Sequence, residues 1–185
     1  MNLDLRVPGF PRRHGVAGDA GSDSGAAEVS ALYAEHALSL IRLAHIMLGN
    51  PAAAEDVVQE AYCGLYRRWP HLRDRSRALG YLRSSVLNGC RSVLRLGASF
   101  PLDEAHQPWV SPADSAVLTA ESRREIVRAV RKLPNRQREV IVLRFFLELP
   151  DDQIASILRI TQGTVRSAAH RGLISLRQAL KETSS

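Results

Sequence analysis

The sequence predicts an all-α protein: two small helical domains joined by an acidic, flexible linker. Three observations carry that prediction. Apolar residues recur at helical spacing in several stretches, with no strand-like alternation bounded by turn residues. Hydrophobic residues make up 45% of the 185 residues but aromatics only 5%, so a core must be built from Leu, Val, Ile and Ala. Such a composition suits helix packed on helix. The helical stretches also fall into two groups, separated by residues 97–120, which hold Pro101, Pro108, Pro112 and three acids but no basic residue.

Residues 1–27 are rich in Gly, Pro, Ser and Asp without a period, and read as a disordered leader. The first domain is expected over residues 28–96. From Val29 to Leu48, the residues Leu32, Leu40, Leu43, Met47 and Leu48 mark a helix that Gly49-Asn50-Pro51 stops. Asn50 can cap the next helix and Pro51 suits its first turn. That helix runs to about Trp69 on the stripe Val57, Val58, Ala61, Tyr62, Leu65, Tyr66 and Trp69. Glu55, Asp56, Gln59, Glu60, Arg67 and Arg68 fall off the stripe, acids first and Arg last, as the helix dipole prefers. Pro70 to Ser76 is a polar loop. A third helix, Arg77 to about Leu96, sets Tyr81, Leu82, Val86, Val93 and Leu94 against the polar Arg83, Asn88, Arg91 and Arg95.

After the linker, a second domain is expected over residues 121–182. Ile126, Val127, Val130 and Leu133 make one helix, ended by Pro134. Val140, Ile141, Leu143, Phe145 and Phe146 make a second, Asp151 to Leu158 a short third, and Gln162 to Leu180 a fourth.

The formal net charge is +6 and the pI about 10.0, which suggests an anionic partner, most commonly nucleic acid. All but Lys132 and Lys181 of the 25 basic residues are Arg. Arg forks bind phosphates and guanine edges bidentately, although a genome rich in G and C produces the same bias. Both helical groups are basic: nine basic residues against six acidic over 28–96, and thirteen against seven over 121–185.

Other chemistry is not supported. No Ser/His/Asp set, phosphate loop or metal-ligand spacing occurs, and His170 stands alone, so no enzyme, cofactor or metal is expected. Cys63 and Cys90 read as small buried residues in a reducing cytoplasm. No apolar run reaches about 18 residues, and no signal peptide opens the chain. A cytoplasmic protein is expected.

The segment from Asp151 to Ser167 has the parts of a helix-turn-helix. Ala155 is the small residue where two helices touch, and Ile154, Leu158, Ile160 and Val165 are apolar anchors. Thr161 can cap the second helix, and Gly163 would let backbone approach a phosphate. The outer face then presents Gln162, Thr164, Arg166, Ser167, His170 and Arg171, which can bond base edges or phosphates.

Two separate stretches now resemble one family, the bacterial extracytoplasmic-function sigma factors. Leu133-Pro-Asn-Arg-Gln-Arg-Glu-Val-Ile-Val-Leu-Arg-Phe-Phe resembles the opening of the family's region 4, and Asp152-Gln-Ile-Ala with Gly163-Thr-Val-Arg-Ser resembles its helix-turn-helix. Ala54-Glu-Asp-Val-Val-Gln-Glu-Ala resembles region 2.2, and Tyr81-Leu-Arg with Asn88 resembles region 2.4, most closely in an actinobacterial group. The matches cover most of residues 29–180 in the family's order.

The resemblance implies a factor that binds core RNA polymerase and directs promoter recognition and DNA opening. By position, Asp56, Gln59 and Glu60 would dock on the clamp helices of the polymerase β′ subunit. Arg73, Asp74 and Arg75 lie in the loop that would capture a flipped base of the minus-ten element. Arg83, Asn88 and Arg91 would flank the opening strand. Gln162, Thr164, Arg166, Ser167, His170 and Arg171 would read the minus-thirty-five element. Arg136 and Arg144 would hold phosphates. Family habit adds an anti-sigma protein as a partner.

The chain departs from the family at several points. Pro150 replaces the usual Ser or Thr cap, so Asp151 is expected to cap instead. Arg159 replaces the Gly of the turn, and Ser92 replaces a common Asp. Ser84, Ser85 and Gly89 make the region 2.4 helix less basic than usual. The residues leave two other readings open. One is a stand-alone helix-turn-helix regulator on duplex DNA, which the acidic Asp56–Glu60 face argues against. The other is a sigma-like interaction protein that does not transcribe.

Overall fold

The computed structural model describes residues 20–96 and 120–183. Among the described residues seven helices follow one another: α1 Ala20–Leu48, α2 Pro51–Arg68, α3 Ala78–Arg95, α4 Ala120–Lys132, α5 Asn135–Ile141, α6 Asp151–Leu158 and α7 Gln162–Thr183. Two 3₁₀ turns, Trp69–His71 and Arg75–Arg77, lie between α2 and α3. No strand occurs among the described residues.

Local chemistry explains most boundaries. The α1–α2 corner turns at Gly49, whose φ of 74° suits a residue without Cβ. Asn50 then caps α2, its Oδ1 accepting the Ala53 N–H at 2.8 Å, and Pro51 occupies the first turn. Helix α1 starts earlier than expected, so Ala20 to Ala27, read as leader, are helical. Ala120, read as the last linker residue, opens α4. The rest of the leader (1–19) and of the linker (97–119) lies outside the described residues.

Helix α5 does not continue through Phe146 as a plain α-helix. A π turn, Val142–Phe146, follows it. There the Leu147 N–H donates to Val142 O at 3.2 Å, one residue further back than in an α-helix. The wider turn keeps Val142 and Leu143 buried and leaves Phe145, expected in the core, 50% exposed. On α2, Tyr66 likewise faces solvent.

In the N-terminal half, α1 packs on α2 and α3 through Leu40, Leu43, Met47, Val58, Leu65, Leu82 and Val86. In the C-terminal half, α7 packs on α4, α5 and α6 through Val130, Ile141, Ile154, Val165 and Ala168. Each fully buried Leu, Ile or Val contributes about 1.5–3 kcal/mol. The halves are docked rather than merely tethered: α1 meets α4, α3 meets α6, and their buried side chains form one cluster. Arg131 Nη2 donates to Leu48 O at 2.9 Å and Arg138 Nη1 to Met47 O at 3.2 Å. Two cations from the second half thus serve the open carbonyls at the C-terminal end of α1, where the helix dipole is negative.

Candidate nucleic-acid interface

Helices α6 and α7 form the expected helix-turn-helix. Ile154, Leu158, Val165, Ala168 and Ala169 are buried between them and the rest of the half, with Ala155 and Ile160 partly buried. The turn runs through Arg159 at φ 53° and ψ 52°, the left-handed region. A side chain there costs about 1–2 kcal/mol relative to an ordinary helical conformation. The turn closes with the Ile160 N–H on Ala155 O at 3.0 Å. Thr161 caps α7 as expected, its Oγ1 accepting the Thr164 N–H at 3.1 Å. Gln162, Thr164, Arg166, Ser167, His170 and Arg171 are all exposed on one helix.

The start of α6 differs from expectation. Pro150 occupies the cap position with no side-chain bond, and Asp151 is already the first helical residue, so Asp151 does not cap. Its carboxylate instead pairs with Arg144 and lies 3.8 Å from Arg166 Nε. Arg144, expected on a phosphate, is thereby held by an acid. An acid in a first turn also answers the positive end of the helix dipole.

The minus-ten set is split by its partners. Arg73 is exposed. Asp74 caps the second 3₁₀ turn: its Oδ1 accepts from Ser76 N at 3.1 Å and from Ser76 Oγ at 2.5 Å, and Arg77 Nε lies 2.9 Å from Oδ2. The Ser76 hydroxyl, foremost, holds the Asp74 carboxyl below its ordinary pKa. Arg75 pairs with Glu28 and lies over the Trp69 ring. On α3, Arg83 is half-buried, and desolvation lowers its pKa. Asn88 is exposed and accepts from Arg91 Nη1 at 2.7 Å.

Arg91 itself reaches into the other half. Its Nε meets Glu139 Oε1 at 2.5 Å, and this hydrogen bond raises the Arg91 pKa. Arg136 Nη1 lies 3.2 Å from the second oxygen of Glu139, a residue 1% exposed. Arg91, expected beside the minus-ten strand, and Arg136, expected on a phosphate from the other domain, therefore share one buried carboxylate. Nearby, Ser84 Oγ donates to Ile157 O at 3.2 Å, so α3 also touches the first helix of the helix-turn-helix.

The α2 face is simpler. Asp56, Gln59 and Glu60 are exposed, and Glu60 pairs with Arg67 at 2.9 Å. Cys63, expected to be buried, is exposed on the same helix, whereas Cys90 is fully buried. Among the described residues no group of His, Cys, Asp or Glu is placed to hold a metal ion. No described helix is long and apolar enough to cross a membrane.

Sequence reasoning missed Glu139 and Glu28. Glu139 carries a faint signal: it stands four residues before the buried Leu143, on the core-facing stripe, where a charge needs a partner. Glu28 carries none, because its partner Arg75 is 47 residues away.

Comparison with known proteins agrees with this geometry. Residues 32–98 match the family described as sigma-70 region 2, and residues 123–176 match sigma-70, region 4. The RNA polymerase sigma-E factor of Streptomyces coelicolor is 30% identical over 142 residues, 77% of this chain and 80% of that protein. The ECF RNA polymerase sigma factor SigL of Mycobacterium tuberculosis is 35% identical over 175 residues, 90% of this chain and 96% of that one. In fold, the chain is similar to the sigma factor RpoE of Bartonella quintana, solved in complex with the anti-sigma factor NepR. The TM-score is 0.61 at 20% identity, covering 87% of this chain and 96% of that one. The chain belongs to the sigma-70 family as an extracytoplasmic-function sigma factor, a transcription initiation factor and not an enzyme.

Proposed function

We propose that this sigma factor grips a promoter at two points while docked on core RNA polymerase in the cytoplasm. The outer face of α7 reads the minus-thirty-five duplex, the 70–76 loop and α3 take the minus-ten strand, and Asp56, Gln59 and Glu60 meet the polymerase clamp. The observation that carries this reading is the face of α7: six polar side chains exposed over buried Val165, Ala168 and Ala169. Such a face is free to enter a major groove.

DNA opening then follows from differential binding. The N-terminal half holds unpaired bases better than paired ones, so the holoenzyme shifts the duplex toward the melted state. Arg91 must leave Glu139 before it can face DNA, so promoter engagement includes separation of the halves. The Bartonella relative's complex supports an anti-sigma protein as a further partner.

Run-off transcription with core polymerase on a pool of genomic fragments tests the reading. Discrete start sites sharing two upstream elements are expected, and no specific start would overturn it. Replacing Asp56 and Gln59 by Ala tests the docking face, with weakened core binding expected.

A further inference from the structure

The loop between α2 and α3 is held from outside by the first turns of α1. Gly25 lies against the edge of Trp69, where an added Cβ would come within 2.8 Å of Cδ1 and 3.4 Å of Nε1. Trp69 is 5% exposed, and its indole N–H has no acceptor among the described residues. One turn on, Glu28 pairs with Arg75, and the Arg75 guanidinium carbon sits 5.5 Å from the Trp69 ring centroid. Val29 follows and is buried. Helix α1 therefore touches the loop through backbone packing, an ion pair and the ring that the ion pair covers.

We infer that Glu28 is a positioning residue for base selection: through Arg75 it fixes the shape of the 70–76 loop without touching DNA. The inference rests on the reading of that loop as the one that captures a minus-ten base. A guanidinium that is both paired with a carboxylate and laid on an indole face has one geometry, because its planar fork cannot satisfy both partners otherwise. Asp74 is tied to Ser76 and Arg77, so both charged residues beside Arg73 are fixed. A loop with one shape discriminates between bases, and a loop with several does not. The Glu28 charge also offsets Arg75, which limits the pull of that cation on any phosphate.

Loss of the Glu28 charge thus has two effects of opposite sign. Base discrimination falls, and non-specific attraction to single-stranded DNA rises. A merely structural glutamate would lower open-complex formation on every base alike and would not raise single-strand affinity.

The experiment uses holoenzyme assembled with the full chain, wild type or Glu28→Gln, on promoters carrying each base in turn at the minus-ten positions. Open-complex formation is read by permanganate footprinting. Binding of single-stranded oligonucleotides is read against salt. The spread between best and worst base should narrow about three-fold in Glu28→Gln, the scale of a partly exposed ion pair. Single-strand affinity should rise with a steeper salt dependence, and core affinity should stay unchanged. Glu28→Asp should restore part of the spread. In the free full chain with Trp109→Phe, Trp69 is the sole indole, and its emission should shift on Glu28→Gln.

An unchanged spread in Glu28→Gln, with the spread altered by Arg73→Ala or Arg75→Ala, overturns the inference and leaves the loop reading standing. If none of the three alters the spread, the loop reading fails and the inference falls with it. A uniform loss across all bases together with a lower melting temperature marks Glu28 as merely structural and also overturns it.

Discussion

Arg91 on α3 and Glu139 on α5 meet across the two halves of the chain, Nε to Oε1 at 2.5 Å, with the Glu139 side chain 2% exposed. Arg136 holds the other carboxylate oxygen. A buried charge stripped of one partner costs more than the pair contributes. Arg91→Ala leaves Glu139 with Arg136 alone and should destabilise the free chain by about 1–3 kcal/mol. The double variant Arg91→Met with Glu139→Leu removes both charges, and should be closer to wild type than Arg91→Ala. Urea unfolding measures both. The reverse order would mean that the pair contributes net stability.

The two thiols give a sharper contrast. Cys63 is exposed and Cys90 is fully buried on the inner face of α3, where desolvation, above all, pushes its pKa up to about 12. In the native chain one thiol should react with an alkylating reagent, and in denaturant two. The raised pKa also fixes a pH dependence. Above the ordinary value of 9.0 the unfolded chain loses the Cys90 proton while the folded chain keeps it. Stability therefore falls as pH rises beyond 9, with a slope approaching 1.4 kcal/mol per pH unit from this group. Tyr62 adds to the same trend above pH 10, because burial raises its pKa too. Cys90→Ala should flatten the slope between pH 9 and 10, checked by denaturant melts across that range.

What could be read from the sequence divides along a physical line. Helix faces were legible because burial repeats at helical spacing: Val58, Ala61 and Leu65 are inside, while Asp56, Gln59 and Glu60 are outside. Caps were legible where a single side chain does the work, as at Asn50 and Thr161. Asp151 was misread because its carboxylate has a better partner, Arg144, seven residues away in sequence. Phe145 was misread because a π turn shifts the register, and no periodicity announces one. The docking of the halves was not legible at all. Arg91 with Glu139, and Arg131 with Leu48 O, join residues 48 and 83 positions apart.

The exposed face of α7 is not uniform. Ser167 Oγ donates to Gly163 O at 2.9 Å, so its hydroxyl is satisfied within its own helix. Arg166 lies near Asp151, whereas Arg171 is exposed. Arg171→Ala should weaken minus-thirty-five binding about ten- to a hundred-fold, the range of one bidentate base contact. Ser167→Ala should change it less than about three-fold, since the bond it loses is internal. Asp151→Asn removes a negative charge beside Arg166 and should strengthen binding with a steeper salt dependence. Holoenzyme gel shifts on matched and mutated minus-thirty-five elements measure all three. An equal loss for Ser167→Ala and Arg171→Ala would contradict this ordering.

The turn before α7 offers a gain in stability rather than a loss. Arg159 sits at φ 53° and ψ 52°, and its own N–H donates to Ser156 O at 3.4 Å. Its side chain is exposed, so little packing depends on it. Arg159→Gly removes the left-handed strain of about 1–2 kcal/mol, offset by the extra freedom that Gly gives the unfolded chain. The net expectation is a stabilisation of roughly 0.5–1 kcal/mol, read as a higher melting temperature. Arg159→Ala separates the two contributions: it removes the same charge but keeps a Cβ in the strained conformation. Its melting temperature should stay close to wild type. If Arg159→Ala stabilises as much as Arg159→Gly, the strain lies in the charge and not in the backbone.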